Sequence, residues 1–148
     1  LTKEKYDPCC CTPLFDAIGK TVKTLKKKIA DEEDAGVLVT IITDGYENSS
    51  KEWDAKGVAK LIEECKEDGW MFSFIGAGED VVKVATTISI TNTMVWENTS
   101  EGTKKMFDEE NDARVRFCMR HDSLIDPCMS LEEKKMTRKK LSKEYYKK

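Results

Sequence analysis

The residues best suited to chemistry fall in two stretches, DPCCCTPLFDAIGK (residues 7–20) and VLVTIITDG (residues 37–45). The first holds Cys9, Cys10, Cys11 and Thr12; the second ends on Asp44 and Gly45. A cysteine run suggests a metal, a disulfide or a nucleophile. Zinc wants paired thiolates about two to four residues apart so that both point at one ion. Cys9 and Cys11 stand too close for that, and no second pair is present. A catalytic thiol needs an activating partner, and the one histidine, His121, lies in a weakly patterned segment. Cys11, beside a helix start, is a candidate for raised reactivity without catalysis. The oxygen side chains form a better pair. Thr12 precedes a helix and Asp44 closes a buried strand. A hydroxyl and a carboxylate brought to one sheet rim are hard ligands suited to Mg²⁺. Each has a local alternative: Thr12 as a helix cap, Asp44 as the first residue of a turn with Gly45.

Other chemistries lack their motifs. No GxxxxGK[ST] loop is present, and GAGED (residues 76–80) is a GxG without the third glycine of a dinucleotide fingerprint. Small residues at a strand end serve the turn in most proteins.

The elements that would carry Thr12 and Asp44 are legible in the periodicity. Leu14, Phe15, Ile18, Val22, Leu25 and Ile29 share one helical face. Pro13 fits the first helical position with Thr12 as N-cap, and Lys26, Lys27 and Lys28 complement the helix C-terminus. Val37 to Thr43 is a near-continuous apolar and β-branched run, the pattern of a parallel strand covered on both faces. Its C-terminal end is where open α/β sheets bind ligands. Ser49 and Glu52 suggest a capping box. Val58, Leu61, Ile62 and Cys65 mark a second helix ending near Gly69. Trp70 to Ile75 reads as a second buried strand, Glu79 to Ile88 as a short helix, and Thr93 to Trp96 as a third strand. A helix capped by Ser100 follows. The last segment has good helix formers but a thin apolar stripe (Leu131, Met136, Leu141, Tyr145), so it is expected to be marginal, helical only when docked. Alternation of this kind predicts an α/β fold: an open parallel sheet, Rossmann-like, with helices on both faces.

The 148 residues suit one domain. Net charge is −3, unevenly placed. Residues 129–148 carry eight Lys or Arg against three Glu, a net +5 that leaves −8 on the rest. The acidic body argues against nucleic acid. The basic tail is expected to be a solvated face, with an acidic partner or phosphate as the alternative. No apolar run approaches the roughly 20 residues of a membrane span. The six cysteines (Cys9, Cys10, Cys11, Cys65, Cys118, Cys128) are an even number, as a disulfide framework requires. Three are sequence neighbours, which bridge each other poorly, and Cys65 sits on a helix's apolar face. The pattern suggests reduced thiols and a cytoplasmic location.

CTPLFDAIGKTV, VTIITDGYENSS, WMFSFIGAG and SEGTKKMFDE together resemble a von Willebrand factor A domain of the stand-alone bacterial type. The resemblance covers roughly Tyr6 to Arg120, a partial domain (1–120) followed by a charged basic tail (121–148). It implies a metal-ion-dependent adhesion site at the sheet's C-terminal rim, in which Thr12 and Asp44 are Mg²⁺ ligands and a partner's carboxylate completes the octahedron. It implies binding of a protein partner or acidic ligand, not catalysis.

Two departures qualify this. The family's Asp-x-Ser-x-Ser ligand loop occurs nowhere in the chain. The family also has glycine where Cys10 stands, so a loop needing positive φ would be strained or reshaped here. The chain is therefore expected to represent strands 4-5-6 of a 3-2-1-4-5-6 sheet, truncated at its N-terminus, with an incomplete site and weak Mg²⁺ binding. Strand 37–43 becomes an edge through which two copies could pair. The alternatives are a Mg²⁺-dependent hydrolase or phosphatase using Asp44, and a scaffold in which Thr12 and Asp44 are purely structural.

Overall fold

Leu14, Ile18 and Val22 repeat at helical spacing and are buried, and they define α1 (Leu14–Lys28) in the computed structural model, which describes residues 11–32, 34–78 and 80–147. After it come β1 (Leu38–Thr43), α2 (Ala55–Glu67), β2 (Met71–Ala77), α3 (Val81–Thr87), β3 (Asn92–Trp96), α4 (Ser100–Leu124) and α5 (Leu131–Ser142). Tyr6, Asp7, Cys9 and Cys10 lie outside the described residues. The protein is an α/β fold with a three-stranded, wholly parallel open sheet in the order β1-β2-β3.

The period of two along the strands separates the faces. Val39 pairs in register with Phe72, and Ile41 with Phe74. These four point to one face, where Leu14, Ile18 and Val22 of α1, Val58, Leu61, Ile62 and Cys65 of α2, and Val81 and Ala85 of α3 close the main core. On the opposite face Leu38 pairs with Met71 and Thr40 with Ser73. There Met71 packs with Ala113 of α4 and with Tyr145, flanked by Leu38, Phe117 and Tyr146. Residues Met71 to Gly76 of β2 are all buried, as a central strand requires, whereas β1 is an edge with Ile42 exposed. Fully burying a side chain such as Phe72 or Ile62 contributes about 1.5–3 kcal/mol, so the α1–α2–α3 face carries most of the hydrophobic stabilisation.

The second face is partly polar. Glu110 of α4, 4% exposed, accepts hydrogen bonds from Thr40 Oγ1 (2.8 Å), Tyr145 OH (2.8 Å) and Tyr146 OH (2.7 Å), and Ser73 Oγ donates to Thr40 Oγ1 (3.1 Å). Burial, and then the Glu110 carboxylate, pushes both phenols above their ordinary value.

The basic tail departs from expectation. α5 is docked on the body rather than a wholly solvated face. Ser130 and Glu133 form a capping box at its start, and its inward stripe is Lys134, Arg138, Leu141 and then Tyr145. Lys134 Nζ and Arg138 Nη2 each reach Asp34 at 2.6 Å, and the two cations hold that carboxyl below its ordinary range. Arg138 Nε also donates to His121 Nε2. Leu131 and Met136, expected on the inner stripe, are exposed. α4 runs unbroken past residue 120, so the basic segment begins inside a helix.

Three caps differ from the reading of the sequence. Pro13, not Thr12, is the cap residue of α1, and it caps with no side chain. Ser49 and Glu52 form no capping box, because α2 begins later and is capped by Asp54, which accepts from the Gly57 N–H at 2.7 Å. α4 is capped by Thr99 rather than Ser100, through the Gly102 N–H. Among the described residues no helix is long and apolar enough to cross a membrane.

Candidate functional site at the C-terminal rim of the sheet

α1 runs back against the strands, so its start lies at the rim where β1 ends. Thr12 and the Asp44–Gly45 turn are thereby neighbours despite the 31 positions between Thr12 and Asp44. The close approach is made at Gly45: a Cβ placed there would lie 2.8 Å from Thr12 Oγ1, so any side chain would displace the threonine. Thr43 Oγ1 fixes the turn, donating to the Gly45 carbonyl (2.9 Å) and accepting from its N–H (3.2 Å). Thr12 is half-buried and Asp44 exposed. Neither side chain hydrogen-bonds through its oxygens to another described residue.

The start of α1 is held by the loop after β1. Its first N–H groups have no intrahelical partner, and residues 47–50 supply acceptors. Asn48 Oδ1 accepts from the Thr12 N–H (2.8 Å), Glu47 Oε2 from the Phe15 N–H (2.8 Å), and Ser50 Oγ from the Asp16 N–H (3.0 Å). The helix returns the favour through Asp16, whose carboxylate accepts from the N–H groups of Lys51, Glu52 and Trp53. Glu47 also ties its own loop through Ser49 N–H, Ser50 N–H and Ser50 Oγ. The Lys51 amide, with those of Glu52 and Trp53, holds Asp16 below its ordinary carboxyl range. Burial raises Glu47, but the Ser50 hydroxyl and the three amides outweigh it, and the net shift is also downward. Both carboxylates are thus built to stay ionised.

Sequence reading placed Thr12 and Asp44 on one rim but missed the Asp16–Glu47–Asn48–Ser50 interlock. One signal was available: polar acceptors crowded into YENSS, next to a helix whose first turn had no proven cap.

In GAG (residues 76–78) the first glycine serves close packing and the last a turn. A Cβ on Gly76 would meet Val81 Cγ2 at 2.7 Å, and Gly78 has φ of +94°. The hollow between the β1 and β2 ends, lined by Asp44, Tyr46, Phe74 and Val81 among others, is only about 20 Å³, about the room of one water. Among the described residues the rim therefore presents a shallow surface.

Magnesium fits the character of the Thr12 and Asp44 oxygens, which among the described residues are joined by no third converging ligand. Mg²⁺ demands a near-ideal octahedron and dehydrates reluctantly, and among the described residues no group of three or more His, Cys, Asp or Glu side chains converges. The described cysteines Cys11, Cys65, Cys118 and Cys128 are unpaired thiols. Burial pushes the Cys65 thiol up to about 11, which makes it inert. No protein-family model, curated protein or solved structure matches this chain.

Proposed function

We propose that the chain is a binding module of the von Willebrand A type, which takes a protein partner or acidic ligand at the C-terminal rim through Thr12 and the Asp44–Gly45 turn. The observation that carries this reading is the close approach of Thr12 Oγ1 to Gly45, which brings it beside Asp44 at the end of β1. The shallow surface and the interlocked loop beneath it support recognition of a partner over turnover of a substrate. Two protein oxygens hold a divalent ion weakly, so the ion is shared with the ligand's carboxylate and is not a tightly bound resident.

The test is Mn²⁺-induced broadening of backbone amide signals. With Mn²⁺ at about millimolar concentration, consistent with a site short of ligands, residues 12 and 43–46 should broaden first. Acetate should strengthen the effect, and Asp44→Ala should abolish it while leaving the urea midpoint unchanged. Broadening centred elsewhere, or unchanged in Asp44→Ala, overturns the proposal. A large stability loss in Asp44→Ala with no local broadening in the wild type assigns the pair a structural role instead.

A further inference from the structure

At the opposite end of the sheet, where the strands begin, the chain carries a second concave surface. His121, near the end of α4, lies against Gly36 just before β1, and the Ser142 carbonyl accepts from Asn92, the first residue of β3. The last turn of α4, the connection to α5, α5 itself and the closing residues enclose a groove of about 650 Å³, within the volume range of ligand-binding clefts. Its floor is Leu124, Met129 and Leu141, and its rim is Lys140, Lys143 and Lys147. The three lysines are exposed and make no ion pair with any described residue. Glu144, the one acidic lining residue, is turned toward Arg120 (3.6 Å). Leu124 is 50% exposed, so the floor is open to a partner.

We propose that this groove docks an acidic amphipathic helix of a protein partner, its apolar side chains on Leu124, Met129 and Leu141 and its carboxylates against Lys140, Lys143 and Lys147. Charge complementarity selects the occupant. The other basic groups of α5 are already engaged: Lys134 and Arg138 on Asp34, Lys135 on Asp68, Lys139 on Glu67. The cations left over are those that ring the apolar floor. An apolar stripe flanked by carboxylates is the helix-in-groove mode of recognition. The rest of the chain carries a net −8, so an acidic partner is drawn toward the basic C-terminal segment rather than toward the body as a whole. The same acidic body and the concave shape disfavour a flat anionic membrane.

The probe is a fluorescein-labelled synthetic helix of about 14 residues with leucines at i, i+3, i+4 and i+7 and glutamates on the flanks. Anisotropy should give a Kd tighter than about 100 μM near 0.1 M salt, weakening as salt rises. Lys140→Glu, Lys143→Glu and Lys147→Glu together should weaken it at least about tenfold, since each exposed pair contributes modestly. Leu124→Asp should do the same, with far-UV circular dichroism confirming that both variants fold. A control helix with serine for leucine should not bind. Absence of binding up to about 1 mM, an affinity indifferent to either variant, or binding to phosphatidylserine vesicles in preference to the peptide overturns the proposal. None of these outcomes depends on Thr12 or Asp44, so this groove and the rim stand or fall separately.

Discussion

Glu47→Ala should be among the most damaging substitutions of any partly exposed residue in this chain. Its carboxylate accepts from Phe15 N–H (2.8 Å), Ser49 N–H (2.8 Å), Ser50 N–H (2.7 Å) and Ser50 Oγ (2.6 Å). A hydrogen bond to a charged group is worth about 1.5–3 kcal/mol, but four on one carboxylate are not additive and water replaces part of them. The lower bound comes from helix capping alone, about 0.5–2 kcal/mol for losing the acceptor. Together these give an expected loss of about 2–3 kcal/mol. Glu47→Gln, which keeps one acceptor oxygen, should lose about half of that. Urea unfolding followed by tryptophan fluorescence measures the loss as a lower midpoint at unchanged slope. Amide hydrogen exchange supplies the local readout: protection should fall at Thr12, Phe15, Ser49 and Ser50 and persist in β2. A loss under about 0.5 kcal/mol, or exchange that rises uniformly, would refute the idea that this one side chain anchors the helix start under Thr12.

Three further outcomes follow from the same geometry. Glu110→Ala leaves the Thr40, Tyr145 and Tyr146 hydroxyls without their acceptor, at about 1–3 kcal/mol for each that stays dry. A total of about 3–4 kcal/mol is expected because only Tyr145 is fully buried, and an unfolding midpoint equal to wild type would sink the account. Stability should depend on pH at both extremes. Asp16, Glu47 and Asp34 are lowered on folding, so their contribution is complete above the ordinary carboxyl values of 3.8 and 4.5 and is lost as pH falls through the folded values. Tyr145 and Tyr146 are raised, so their contribution is complete below 10.0 and is lost as pH rises above it. A urea midpoint that stays flat from pH 3 to 5 and again above 10 contradicts both signs. Finally, β1 is an edge strand whose residues from Val37 to Thr43 include no charge and no proline, the profile of a strand that pairs with another copy. Sedimentation equilibrium should detect self-association at about 10–100 μM, and Ile42→Lys should reverse it; a wild-type monomer across that range would end the idea.

The parallel sheet was legible because its cause is local. Val37 to Thr43 and Trp70 to Ile75 are long enough, apolar enough and β-branched or aromatic enough to read as strands, and the helical stripes between them dictate crossovers; β2 is covered on both faces as expected, whereas in β1 only Ile41 is buried. The assigned strands Leu38–Thr43 and Met71–Ala77 differ from that reading by a residue or two. The inner stripe of α5 was not legible for a definite physical reason. Hydrophobic periodicity counts apolar side chains, and the inner stripe of α5 is half cationic. Lys134 and Arg138 can turn inward only because Asp34, about a hundred positions earlier, is there to meet them. Breaking such a buried pair from one side leaves an uncompensated charge, so the stripe is real, but no local pattern contains it.

The site divides along the same line. That Thr12 and Asp44 share a rim follows from topology, since a helix preceding a parallel strand must start where that strand ends. What holds them there does not follow from topology. The expected caps, Thr12 for α1 and Ser49 with Glu52 for a following helix, assume that each helix start is satisfied by its own flanking residues. Here α1 borrows its acceptors from a loop 32 to 36 positions away, and Asp16 of α1 in turn satisfies the loop's own N–H groups. A reciprocal arrangement removes any need for a local cap, so Pro13 can occupy the cap position without a side-chain acceptor. It also makes the Thr12 loop and the Asp44–Ser50 loop one mechanical unit. A substitution that frees Glu47 or Asp16 should therefore disturb the rim oxygens together, whereas Asp44→Ala changes the rim's chemistry and leaves its frame in place.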